Sequence, residues 1–289
     1  MKYLTKEWYE LCQKTGLHFG KRVHRGAEKR DEALYKRLYK RKENEFIKMQ
    51  REIYDVDPRF MLEQEGTLMI PLEKFVTGEE VSSEEMKIYE MTPEERQRIQ
   101  TYIDEYDARP PFDEVNSKQQ FSDNHEWSCR EEIRRLPLAL SSQIADERVF
   151  ALGYCTKEVM RQLKLLSKEN EKKMMHTLDE YRKVRQNEQI PEDIQRKFSF
   201  HDCRVIRVDS GEAVVIRLDT EGGFTNLNHI TFVGAEIIKQ DEIVGSCWLY
   251  EELYRIDHGY EAHVLFEDGS ELIIRCNDII IVQEPVGTD

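Results

Sequence analysis

The hydrophobic period of this chain changes near Gln186. Upstream of it, apolar residues recur at spacings of three, four and seven, the repeat of one helix face. Downstream they alternate, the repeat of a strand covered on one side. The two patterns cannot exchange, because a stripe built for one period scatters over both faces of the other. The chain is therefore expected to be α+β, with a mainly helical region over residues 1–190 and a small antiparallel β domain over 198–289. The polar stretch from Asn187 to Arg196, which contains Pro191, reads as the linker between them.

In the helical half, Thr5 is an expected N-cap for a first helix that ends near Gly16. A longer helix is expected from Asp31 to Tyr54, with Tyr35, Tyr39, Phe46, Met49 and Ile53 as its apolar stripe. Asp57-Pro58 ends it, since the residue before a proline avoids the helical region. Ser82 with Glu85, and Thr92 with Glu95, read as capping boxes that open two further helices. The polar run 112–128 reads as a loop. Thr156 is placed as the cap of a long helix to about Arg185, with Val159, Leu163, Leu166, Met174, Leu178 and Tyr181 on its covered face.

In the β half, β-branched runs are separated by Asp209-Ser210-Gly211-Glu212 and by Glu267-Asp268-Gly269-Ser270. Both are hairpin signals, and short turns force antiparallel pairing because parallel strands need long crossovers. Trp248, Leu249 and Leu253 read as the core of a short helix or strand.

Charge excludes some functions. The net charge is −14, with charged residues at 35%, and a field of that sign repels nucleic acid and anionic lipid. The sign is uneven: residues 21–51 hold 12 Lys+Arg against 5 Asp+Glu, and residues 52–126 hold 20 acids against 7 bases. The basic helix 31–51, with Lys36, Arg37, Lys40, Arg41 and Lys42, is thus a candidate track for a phosphate backbone. The plainer expectation is a solvated face paired with the acidic stretch that follows. No run of about 20 apolar residues is present, and the polar, charged start does not read as a signal peptide. A soluble cytoplasmic protein with no membrane partner is expected. The six cysteines, Cys12, Cys129, Cys155, Cys203, Cys247 and Cys276, lack metal or redox spacing and read as reduced core thiols.

Few residues offer chemistry. His201-Asp202 could be a base and its orienter, but neighbours on a strand point to opposite faces, so their side chains are not expected to touch. The bland reading has Asp202 bonding backbone at a strand entrance. His229, His258 and His263 have no ligand spacing, and no metal or cofactor is expected. Trp248, Tyr250, Tyr254 and Tyr260, next to Glu251 and Glu252, are a candidate binding face, with a core cluster as the alternative.

Two passages carry a resemblance. Met1-Lys-Tyr-Leu-Thr-Lys-Glu-Trp-Tyr9 is similar to the start of a family of uncharacterised bacterial proteins, known as a domain of unknown function. Phe200-His-Asp-Cys-Arg-Val205, Gly222-Gly-Phe224, Trp248-Leu-Tyr-Glu-Glu-Leu-Tyr254 and Gly259-Tyr-Glu-Ala-His-Val264 look like the C-terminal half of that family. The resemblance implies a bacterial cytosolic protein and carries over no catalytic residue. The β domain also resembles, more distantly, immunity proteins of bacterial toxin systems. Together these readings point to a non-catalytic protein-binding or regulatory protein, with a role in immunity or defence as one version. The alternatives are a nucleic-acid-associated protein using helix 31–51, or an enzyme with an unrecognised site.

Overall fold

A computed structural model of the chain describes residues 1–70, 74, 81–82 and 86–284. Of the expected box Ser82–Glu85, Glu85 lies outside the described residues. Contacts divide the chain into two units, Lys21–Lys157 and Met1–Gly20 with Glu158–Asp289.

The first helix, α1 (Lys6–Cys12), belongs to the second of these units and is capped by Thr5, whose hydroxyl accepts from Trp8 N. It ends four residues before Gly16. The unit Lys21–Lys157 opens with β1 (Arg22–Val23) and the long α2 (Glu32–Tyr54), capped by Asp31. After it come the short ladder β2 (Leu68–Met69) and β3 (Lys87–Ile88), and then α3 (Pro93–Ala108). The Thr92–Glu95 box of α3 forms in both directions, as expected. Next are α4 (Glu114–Arg134), α5 (Leu138–Ser141), α6 (Glu147–Ala151) and β4 (Tyr154–Cys155), which pairs in parallel with β1.

Two expectations fail in this unit. The stretch 112–128 is the start of α4, not a loop. Its buried positions are Ser117 and His125, so the apolar period that marks a helix is missing. Asp113 caps it through Asn116 N at 2.8 Å. His125 instead lies between the Tyr35 hydroxyl, at 3.3 Å, and Cys129 Sγ, at 3.7 Å. The stripe of α2 is also rotated. Leu34, Leu38 and Ile47 are buried while Met49 and Ile53 stand exposed. Tyr35 and Tyr39 flank that face and pack on Phe121 and His125 of α4.

The other unit contains α7 (Lys157–Asn187), whose first residue lies across the division, and α8 (Glu192–Lys197). The expected linker therefore contains a short helix. Eight strands follow: β5 (Arg204–Ser210), β6 (Ala213–Asp219), β7 (His229–Val233), β8 (Glu236–Gln240), β9 (Trp248–Ile256), β10 (Gly259–Phe266), β11 (Glu271–Cys276) and β12 (Asp278–Val282). They form two antiparallel sheets, ordered β12-β7-β6-β5 and β8-β11-β10-β9. Both expected hairpins, β5–β6 and β10–β11, are present. The sheets share one core, in which Phe200, Phe232, Trp248 and Phe266 are fully buried. Residues 1–20 pack along α7: Trp8 Nε1 donates to Met174 O, Asn170 Nδ2 donates to Lys14 O, and His18 Nδ1 lies 3.0 Å from Ser167 Oγ.

Candidate functional site

Two places in the β unit concentrate polar chemistry, and both are built on β9. The first is the turn that precedes β5. Phe200 fills the core, so the chain must reverse at His201-Asp202 to reach β5. Asp202 N donates to Trp248 O at 2.8 Å and Trp248 N donates to Cys203 O at 2.8 Å, which pins the turn to the start of β9. Asp202 takes φ 67°, a left-handed conformation that non-glycine residues adopt at a cost. Because this is a turn and not a strand, the side chains meet: His201 Nδ1 lies 3.0 Å from Asp202 Oδ2. That corrects the expectation from strand geometry that the pair could not touch.

The Gly222-Gly223-Phe224 loop packs against this turn. A Cβ on Gly223 would sit 2.3 Å from Cys203 Sγ and 3.2 Å from His201 O, so only glycine permits the approach. The consequence is that Phe224 is held 89% exposed beside the His201 ring, at 6.4 Å between centroids. Tyr250 closes the other side at 5.6 Å from His201. Tyr250 in turn meets Trp8 and Tyr9, at 5.2 and 6.2 Å. Three of the separately read passages, those around residues 1–9, 200–205 and 248–254, thus converge at Tyr250.

The remaining candidates lie elsewhere. Trp248, Tyr254 and Tyr260 are buried. Trp248 packs on Phe198, Phe200 and Phe266. Tyr260 stacks under Arg255 at 4.8 Å. Of the expected aromatic face, only Tyr250 is brought to His201 and Asp202.

The second place is the Glu251-Glu252 pair, expected as neighbours of the candidate aromatic face. Adjacent strand residues face opposite sides, yet both carboxyls are covered because β9 is packed on both faces. Glu251 accepts from Trp248 Nε1 at 2.8 Å. It lines a cleft with Tyr181, Arg185, Ile190, Gln195, Phe198 and Leu253. Burial pushes its carboxyl up to about 7, against the pull of the Trp248 hydrogen bond and of Arg185.

Glu252 is fully buried. Its Oε2 accepts from Lys2 N at 2.6 Å and from the Tyr254 hydroxyl at 2.9 Å. Its Oε1 accepts from Tyr3 N at 2.7 Å and Leu4 N at 2.5 Å. Four donors on one carboxyl leave this buried polar group with its hydrogen bonds satisfied. His263 lies across the ladder from Glu252, with Nδ1 at 3.9 Å from Oε2 and Nε2 at 2.9 Å from Glu261 Oε1. Burial holds the His263 imidazole below its ordinary value. His263 and Arg275 hold the Glu261 carboxyl down at about 2, against the opposing effect of burial. A glutamate pair inside an otherwise apolar strand was the signal available in the sequence.

Elsewhere the chemistry is sparse. Among the described residues no three His, Cys, Asp or Glu side chains are placed to hold a metal ion. No helix among them is long and apolar enough to cross a membrane. All six cysteines are free. On α2, Lys36 pairs with Glu32, Lys40 with Glu43, Arg41 and Lys42 with Glu45, and Lys48 with Glu52. These partners are on the same helix. The expected pairing with the acidic stretch downstream is represented by Arg51–Glu114 at 3.5 Å.

The chain belongs to a family described as "Protein of unknown function (DUF4085)", whose match covers residues 116–274. That span contains the His201-Asp202 turn, the Gly222-Gly223-Phe224 loop and both glutamates of β9. No curated protein and no solved structure matches the chain.

Proposed function

We propose that this member of a family of unknown function is a non-catalytic binding protein, whose protein partner seats on the corner formed by His201, Asp202, Phe224 and Tyr250. One observation carries the reading: Phe224 is the most exposed large apolar side chain among the described residues, at the end of a glycine loop packed closely on Asp202 and Cys203. An exposed phenyl costs apolar hydration, and aromatic anchors with a polar surround are what interfaces favour. Beside it stand a left-handed Asp202 and its paired His201, a strained turn of the sort that accumulates at functional sites. The corner offers an apolar anchor, an imidazole and a carboxylate within one patch, which suits an apolar side chain flanked by polar groups on a partner polypeptide. A bacterial cytosolic setting is part of this reading.

The test uses the full chain immobilised beside a Phe224→Ser variant, exposed to extract from the source cells. Phe224 lies outside the core, so the variant should unfold at the same denaturant concentration. The expected result is a partner retained by the wild type and lost from the variant, with at least about a tenfold drop in affinity once that partner is purified. Equal retention by both proteins overturns the reading.

A further inference from the structure

We propose that residues Met1–Leu4 form a strap seated on the Glu252 carboxylate, and that a proton added at His263 Nδ1 releases it. Three successive main-chain N–H groups, of Lys2, Tyr3 and Leu4, converge on one carboxylate. That arrangement binds backbone, not side chains; beside it Lys2 lies over the Tyr254 ring and Leu4 packs with Trp8 and Tyr181. Three main-chain bonds depend on that one acceptor, so a new donor competing for it weakens the strap's main-chain hold.

His263 is placed to perturb it. Its Nε2 is hydrogen-bonded to Glu261, which fixes the tautomer with the proton there. Its Nδ1 is buried and has no hydrogen-bond partner. Nδ1 lies 3.9 Å from Glu252 Oε2, the oxygen that holds Lys2 N and the Tyr254 hydroxyl. Protonation turns Nδ1 into a charged donor 3.9 Å from Oε2. The carboxylate is then drawn toward His263 and away from the strap.

The charged groups around His263 set when this happens. On β9 they are Glu252, with the phenol of Tyr254; on β10, Glu261; on β11, Arg275 and Glu271; on the strap, Lys2 and the amine of Met1. Lys2 lies 3.4 Å from Glu261 and 3.7 Å over the Tyr254 ring. Burial and the Met1 amine resist the proton, and the glutamates favour it. Release therefore belongs to the acid side of the ordinary histidine range. Glu261 stays ionised throughout, so the Nε2 bond persists while Nδ1 titrates.

The strap leads directly into α1, whose Trp8 and Tyr9 cover one side of Tyr250. Its release would loosen that cover, but the inference concerns the strap and stands without the partner-binding reading. Hydrogen exchange of the Tyr3 and Leu4 amides in the full chain tests it, at about pH 7.5 and about pH 5 and corrected for intrinsic exchange. The expected result is about a tenfold loss of protection at those two amides, with β10 and β11 unchanged. A His263→Gln variant, which keeps a donor toward Glu261, should hold the same protection at both values. Unchanged protection in the wild type overturns the proposal, as does an equal loss in His263→Gln or a loss spread over the whole sheet. Should His263→Gln fail to fold, the wild-type His263 ring titration followed by NMR replaces it. A midpoint that coincides with strap release supports the proposal, and one more than about a pH unit away overturns it.

Discussion

The α2 helix and the β9 strand handle charge in opposite ways. In Lys21–Lys157 the charges of α2 stay at the surface, matched to partners one helical turn away. Such pairs are screened and individually worth a few tenths of a kcal/mol. In the β unit, carboxyls are taken inside: Glu252 entirely, with four donors around it, and Glu251 into a cleft where burial outweighs its hydrogen bonds. The difference is what a substitution would reveal. A surface pair is replaceable, whereas a buried carboxylate has made its surroundings depend on it.

The largest expected effect is therefore at Glu252. Glu252→Ala leaves three backbone N–H groups and a phenol without their acceptor and opens a cavity, and should cost about 3–5 kcal/mol in urea unfolding of the β unit. A loss below about 1 kcal/mol would erase the contrast between α2 and β9. The next effect depends on pH and has the opposite sign. The folded carboxyl of Glu251 titrates near 7 and its ordinary value is 4.5. The raised value contributes stability fully below about pH 4.5, and that contribution disappears as pH rises through 7. Relative to Glu251→Gln, the wild type should lose up to about 3 kcal/mol between about pH 5 and about pH 9. Parallel stability curves for the two proteins would show that Glu251 is ordinary.

The smallest effect is expected on α2. Changing Lys36, Lys40 and Arg41 to Gln together should shift stability by less than about 1 kcal/mol. With those charges paired to acids on their own helix, DNA or RNA should bind no better than about 10⁻⁴ M at physiological salt. A micromolar complex whose affinity falls steeply with salt would revive the phosphate-backbone alternative. The division proposed at 190–198 is tested separately by limited proteolysis. Cleavage is expected first between Asn187 and Pro191, where α7 has ended and α8 has not begun. Retained β-type circular dichroism in the fragment from Phe198 supports an independent β domain. Loss of that signal would mean that Met1–Leu4 and α7 complete it.

The contrast also explains what could be read in advance. The period change near Gln186 was legible because most elements on either side of it bury one face, with the helical and strand periods respectively. The hairpins at 209–212 and 267–270 were legible because Gly and Asp punctuate them, with Gly269 at φ 83°. The thread was lost at α4, where Ser117 and His125 take the buried positions and no apolar period survives. The strap was not legible either. Its contacts join residues about 250 apart in sequence and use main-chain N–H groups, which every residue except proline carries. The His201–Asp202 contact was missed for a local reason: the left-handed turn at Asp202 departs from the strand rule applied to it.

The close approach of Gly223 to Cys203 has one more consequence. Burial raises the Cys203 thiol to about 11 and that of Cys276, on the far side of the same core, to about 12. Neither is a thiolate at neutral pH, so neither attacks an alkylating reagent while the strands are closed. Each becomes an ordinary cysteine the moment its sheet parts. The rate at which these two sulfurs acquire label is then a clock for how often each sheet opens, read from the native sequence without a substitution.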